Sequence, residues 1–460
     1  MSSSRKINRR QMLQTSVCAG GMSLSLADVL RLQAGGEQAA NRDTAVIQIW
    51  LGGGHSQFET FDPKPDASAE IRGPYGTVKT LFPGISFSEK LPLTAQVVDR
   101  TAIIRSIAHN NNGHFVAAHW CSTGYIGTNN RSSHPSSGSL VSRFRGPNRP
   151  GMPAYVLLSE EQTRNPEIGS VMGSSHLGAR HAPFTILQDS FRYEFRQDKL
   201  SDATSNLELA NDITLERVSD RRSLLKSLDR LERNVDNRRT MRGMDRFNEI
   251  ALNMVTTGKA RDAFNLEKES KATRELYGPH RWGQSALLAR RLVEAGVTFV
   301  TINTAPDSLC WDWHLNIVND DRPADGSDGP SRGMDISGPP LDRMLSALVT
   351  DLYQRGLDKK VLLVVWGEFG RTPRINKTGG RDHWGQLMSI LIAGGGLKVG
   401  QVIGASNANG EVPSDRPVHP TDVLTMIYRH LGINTSLHTE TLEGRPFPIL
   451  PSGELITELI

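Results

Sequence analysis

Five consecutive apolar residues, Val361-Leu362-Leu363-Val364-Val365, constrain this chain more than any other stretch of it. The run is short, rich in β-branched residues and bounded by polar ones, so it reads as a strand. A strand that is apolar on both faces needs both faces covered, which makes it a central member of a mainly parallel sheet. Thr44 to Leu51, Thr101 to Arg105, Pro153 to Leu158, Val297 to Ile302 and Leu387 to Ala393 read as further strands. Helical stretches lie among them: Gly113 to Cys121, Ser285 to Ala295 ended by Gly296, Leu341 to Arg355 closed by Gly356, and Pro420 to Leu431. This alternation predicts an α/β fold, with a mainly parallel central sheet and helices on both of its faces, spanning residues 44–460 as a single domain.

Two regions break the alternation. From Asn206 to Glu275, leucines recur at helical spacing among many Arg, Asp and Glu, which predicts a helical insertion or cap over about 206–275 with a solvated charged face. Pro306 to Pro340 is polar and rich in Gly and Pro, and a loop of that length is functional or mobile. No internal repeat is present.

The first forty residues precede the fold. Arg5, Lys6, Arg9 and Arg10 are followed by a mildly apolar stretch from Val17 to Leu30 and an alanine-containing polar segment from Gln33 to Asn41. That order is the one of an export signal. Within it, Asn8-Arg9-Arg10-Gln11-Met12-Leu13 resembles the twin-arginine signal. The resemblance implies that the twin-arginine export machinery carries the chain already folded to the periplasm or outside. A disordered basic N-terminus is the alternative.

Composition removes several classes. The net charge of +4 over 460 residues, with no basic run interleaved with aromatics, excludes a nucleic-acid partner. No stretch of about 18 consecutive apolar residues exists, so no transmembrane segment is expected. The cysteines are Cys18, Cys121 and Cys310, without a Cys-x-x-Cys pair, which excludes a zinc-thiolate site. Cys121 and Cys310 could pair or both stay free.

In open α/β sheets ligands sit beyond the carboxyl ends of the strands. Trp311-Asp312-Trp313-His314 follows one predicted strand, and Gly367-Glu368-Phe369-Gly370-Arg371-Thr372-Pro373 follows the most apolar one. The same loop runs on to Gly380-Arg381-Asp382-His383-Trp384. Gly52-Gly53-Gly54-His55 and the stretch from His109 to His114 follow two others. Asp312, His314, Glu368, His383 and His55 are therefore candidate ligands for a divalent cation, zinc, manganese or similar, because carboxylate and imidazole suit such ions. Arg371 and Arg381 could pair an anionic substrate. Glu368 could instead pair Arg371 three residues on, and His55 could be a turn residue. The Gly-x-Gly-x-x-Gly, Walker and Gly-x-Ser-x-Gly patterns are absent, so a nucleotide site and a serine esterase are not expected.

From about Thr44 to Leu431 the chain resembles the bacterial DUF1501 family of secreted proteins. The motifs that carry this are Leu51-Gly52-Gly53-Gly54-His55-Ser56-Gln57-Phe58-Glu59-Thr60-Phe61-Asp62-Pro63-Lys64-Pro65, Glu70-Ile71-Arg72-Gly73-Pro74, Ile104-Arg105-Ser106 and the three metal-candidate stretches above. That family is similar to the alkaline phosphatase and sulfatase superfamily. The likeness implies an alkaline-phosphatase-like fold, a first metal site from Asp312, His314 and His383, and Glu368 in place of an Asp. It places His114 where the nucleophile stands, as base or transient nucleophile, and Phe369 where a second-site His stands. It implies hydrolysis of a small anionic ester or of a sulfated or phosphorylated glycan. A non-catalytic binding or assembly protein that keeps the fold is the alternative.

Overall fold

Val361–Trp366 buries all six of its side chains at the middle of an eight-stranded sheet. The strands, in chain order, are β1 (Ala45–Trp50), β2 (Thr101–Ile107), β3 (Tyr155–Glu160), β4 (Phe184–Gln188), β5 (Phe299–Asn303), β6 (Val361–Trp366), β7 (Met388–Gly394) and β8 (Gln401–Ile403). Their order across the sheet is β8-β2-β7-β6-β1-β5-β3-β4. The structure is a computed structural model and describes residues 43–127, 133–160, 171–188, 259–304, 311–318, 333–441 and 443–460. Residues 43–460 form one compact unit by their internal contacts. The basic leader, residues 206–258 of the expected insertion, and Cys310 lie outside the described residues.

All strands run parallel except β7, which is antiparallel to both of its neighbours, β2 and β6. Trp50 is in register with Trp366 on one side and Asn303 on the other, so the carboxyl ends of β1, β5 and β6 lie level at one edge. Because β7 runs the opposite way, it starts at that edge. The whole connection from Gly367 to Leu387 therefore stays beside the carboxyl ends and need not cross the sheet.

The period-2 alternation of strand side chains feeds two cores. Ile47, Ile49, Leu363 and Val365 pack with Leu287, Leu288 and Leu292 of the helix Arg281–Ala295 and with Leu341, Leu345 and Leu348 of the helix Met334–Gln354. On the other face Val46, Trp50, Leu362, Val364 and Trp366 pack with Phe115, Ala118 and Cys121 of α1 (His114–Thr123) and with Val423, Leu424 and Ile427 of the helix Pro420–His430. Each fully buried aliphatic side chain contributes about 1.5–3 kcal/mol relative to exposure. Both faces are thus covered, as the apolar run in β6 requires.

Two local readings need correction. The helix expected from Leu341 begins at Met334 and contains Pro339 and Pro340. Its first turn is held from outside: Met334 N donates to Ile317 O at 2.8 Å, Asp335 N donates to Val318 O at 3.0 Å, and Met334 is fully buried. Tertiary contacts thus outweigh the backbone bonds that the prolines remove. Residues 334–340 are accordingly helix rather than loop. β4 and β8, outermost strands of the sheet, are additions to the expected set. Of the expected insertion, Lys259–Phe264 and Lys271–Tyr277 are helices with a 3-10 turn at Leu266–Lys268 between them, and its end is tied down by charges around the buried Arg290. Arg290 pairs with Glu269 at 3.0 Å, Asp351 at 3.0 Å and Glu294 at 2.6 Å.

Candidate metal centre

The edge where β1, β2, β5 and β6 end gathers four polar side chains. His114, Asp312, His314 and His383 each offer one ligand atom, and these atoms all lie within 4.8 Å of one another. Among the described residues this is the one such group of three or more His, Cys, Asp or Glu. His314 Nε2 stands 2.8 Å from His383 Nε2, and both stand 3.0 Å from Asp312 Oδ1. His114 Nε2 is 3.3 Å from Asp312 Oδ2. Donor atoms bonded to one first-row cation at roughly 2.0–2.2 Å stand about 3 Å apart, so the spacing fits a single ion.

Local sequence explains the convergence. In Trp311-Asp312-Trp313-His314 both tryptophans are fully buried, and Trp311 stacks on Trp282 with ring centroids 5.7 Å apart. Asp312, between them, and His314, just after them, face the cluster. The His383 loop reaches this stretch through Gly380, where a Cβ would stand 2.1 Å from the carbonyl carbon of His314. Arg381 N donates to Trp313 O at 2.8 Å just beyond. Gly385 O accepts from His109 N at 2.8 Å, which ties the loop to the stretch that leads into His114.

The outer nitrogens of the three rings decide what the inner ones can do. His114 Nδ1 meets Glu368 Oε1 at 2.8 Å, His314 Nδ1 meets Asp382 Oδ1 at 2.8 Å, and His383 Nδ1 meets Asn112 O at 2.7 Å. Carboxylate and carbonyl oxygens only accept, so each Nδ1 carries the proton and each neutral ring turns a bare Nε2 lone pair inward. Lone pairs held 2.8 Å apart, beside a carboxylate, repel unless a cation lies among them. The donor set of three imidazoles and a carboxylate fits zinc, manganese or a similar divalent ion.

The protein family described as "Protein of unknown function (DUF1501)" matches residues 43–460. The chain belongs to the DUF1501 family. No curated protein matches the sequence of this DUF1501 protein. Solved structures to which it is similar include alkaline phosphatase from the Antarctic bacterium TAB5, at 10% identity and a TM-score of 0.35 over 85% of this chain and 98% of that one. PsFucS1 sulfatase from Pseudoalteromonas sp. matches at 10% identity and 0.35 over 88% and 72%. Phosphonate monoester hydrolase of Agrobacterium radiobacter matches at 10% identity and 0.35 over 90% and 77%.

The remaining candidate residues of the DUF1501 chain stand outside the four-residue group. Glu368 is fully buried behind His114, and its Oε1 also accepts from Gly53 N at 2.8 Å. His55 is buried with its Nε2 on Ser389 O at 2.7 Å, and burial pulls its pKa down to about 4. Arg371 is fully buried: it donates to Gly54 O at 2.8 Å, Arg381 O at 3.0 Å and Asp312 Oδ1 at 2.5 Å, and also to Gly53 O. Arg381 is equally buried against Glu59 at 2.8 Å and the carbonyls of Ile71, Thr372 and Pro373. Neither guanidinium faces outward to meet an anionic substrate. The carbonyl of Asn112, which holds His383, has no motif of its own in the sequence, and Asp382, which holds His314, lies in the Gly380–Trp384 motif without a sign there that it turns to a ring.

Burial would lower the pKa of His114, but the carboxylates of Asp312 and Glu368 outweigh it and lift the ring to about 9. Burial likewise opposes ionisation of Asp312, yet Arg371 and the three rings hold it far below the carboxylate range. Hydrogen bonding to Asp312 raises His314, whereas burial lowers His383. The metal-free centre is therefore one anion surrounded by rings that compete for protons.

Proposed function

We propose that this chain is an exported, metal-dependent hydrolase of phosphate or sulfate esters. The observation that carries the reading is the facing pair of Nε2 atoms on His314 and His383, 2.8 Å apart beside Asp312, with both Nδ1 atoms already committed. His114, Asp312, His314 and His383 would hold the ion. Bound there, a divalent cation supplies polarisation of an ester oxygen and a lowered pKa for water, to about 7.

The chain's own residues prepare the site for an anion. Asp312 is the one carboxylate in the cluster, and Arg371 offsets its charge. α1 begins at His114 with no side chain capping its first turn, so the positive end of its dipole lies beside the cluster. Phe369 is fully buried, with its ring centroid 5.1 Å from His114 and 4.6 Å from His383, and it walls the site with apolar surface. A small anionic ester, free or on a sulfated or phosphorylated glycan, suits this combination. The leader supports twin-arginine export to the periplasm or outside, a route that carries folded chains.

One observation favours a second reading, a binding or assembly protein that keeps the fold without turnover. Both candidate substrate cations, Arg371 and Arg381, are spent inside the protein. Assaying the purified chain on aryl phosphates and aryl sulfates, with zinc, manganese and no metal, separates the two. Metal-dependent turnover that disappears in His383→Ala supports the hydrolase. A chain that binds metal yet turns over no ester supports the binding protein.

A further inference from the structure

Glu368 lies outside the ligand cluster, yet it holds one of the cluster's rings, and it does so differently from the groups behind the other two. Its side chain is fully buried, whereas that of Asp382, behind His314, is 57% exposed, and the group behind His383 is a neutral carbonyl. Glu368 Oε1 takes both His114 Nδ1 and Gly53 N, each at 2.8 Å, and Oε2 has no hydrogen-bond partner. The charge of the buried carboxylate is thus answered through the oxygen that faces His114.

We infer that Glu368 is a positioning residue that sets the centre's hold on its ion through His114, with the glycine turn after β1 as its anchor. The inference rests on the metal-centre reading above. A carboxylate on Nδ1 fixes the tautomer and makes Nε2 a stronger donor, and a buried one does so with little solvent screening. Gly53 has φ 102°, a conformation open mainly to glycine, and it presents its N–H to Glu368. The carbonyls of Gly53 and Gly54 hold Arg371, which holds Asp312. One turn therefore fixes two arms of the centre, His114 through Glu368 and Asp312 through Arg371. The Gly53-Gly54 pair thus holds the groups that support the ligands.

The test is calorimetric titration of the metal-free full chain with zinc, for wild type, Glu368→Gln, His114→Ala and the double variant. Glutamine keeps the shape and an accepting oxygen while removing the charge. The expected result is unchanged stoichiometry and about 10–100-fold weaker binding in Glu368→Gln. In the His114→Ala background the same substitution should change affinity by less than about twofold, because its route of action is gone. Equal weakening in both backgrounds, or none in the wild-type background, overturns the inference. A wild-type chain that takes up no zinc sinks the metal centre itself, which is a different failure. Should Glu368→Gln not fold, the imidazole nitrogen-15 spectrum of zinc-loaded wild type decides. A slowly exchanging proton on His114 Nδ1 is expected, and a bare Nδ1 contradicts the proposal.

Discussion

Three imidazoles cannot keep bare nitrogens around one carboxylate without a positive charge among them, and in the metal-free protein that charge is a proton. The pKa of His114 rises from 6.5 to about 9 on folding, because Asp312 and Glu368 outweigh the cost of burial. A raised folded pKa stabilises the protein fully below the unfolded value and loses that contribution as pH rises through the folded one. The metal-free chain should therefore lose roughly 3 kcal/mol of stability between about pH 6.5 and pH 9, read by denaturant unfolding at stepped pH. A metal ion must displace the same proton, so uptake at pH 7 should release about one proton, measured by calorimetry in buffers of different ionisation enthalpy. Uptake with no proton release would remove His114 from the ligand set. At this scale the sequence is informative where a residue's place follows from a strand end, as for Asp312, His314 and His383. It is silent where the partner is backbone. Arg371 and Arg381 look available as charges, but the carbonyls that consume them have no sequence signature.

Among the elements, the turn after β1 carries a sharp local constraint. Gly54 has φ 81°, and a Cβ there would stand 2.4 Å from the Phe369 ring. Gly54→Ala should destabilise the chain by more than the about 1 kcal/mol that φ > 0 costs alone, and it should weaken metal uptake by shifting Phe369 and Arg371. Thermal unfolding with and without metal measures both effects. The strands of the sheet centre are legible because covering both faces demands unbroken apolar runs. The direction of β7 is not, because an apolar run reads the same either way, and its antiparallel course is what keeps His383 at the ligand edge. The start of the helix at Met334 is hidden for the opposite reason. Pro339 and Pro340 argue locally against a helix that contacts with Ile317 and Val318 sustain.

For the molecule as a whole, the proposed metal and the proposed export would be linked through folding. An ion that binds only the native state adds stability by mass action, about 2.7 kcal/mol at a free concentration one hundred times its Kd. A twin-arginine route, which carries folded chains, would let the centre fill before the membrane is crossed. Replacing Arg9 and Arg10 together by lysine should leave the chain in the cytoplasm, with its metal content unchanged, as fractionation and elemental analysis of both fractions would show. The family match over residues 43–460 and the eight-stranded sheet agree with what the apolar runs and glycine-rich motifs indicate. Substrate choice is not legible in the same way, because it depends on the shape of the surface around the cluster.

Elemental analysis of the full chain, purified without added metal or chelator, tests the central claim most directly when run beside His383→Ala. The account predicts about one divalent ion per wild-type chain, and loss of that ion in a variant that still folds. A wild-type chain that is metal-free, stays so after incubation with zinc and manganese, and unfolds at the same temperature with or without them would contradict it.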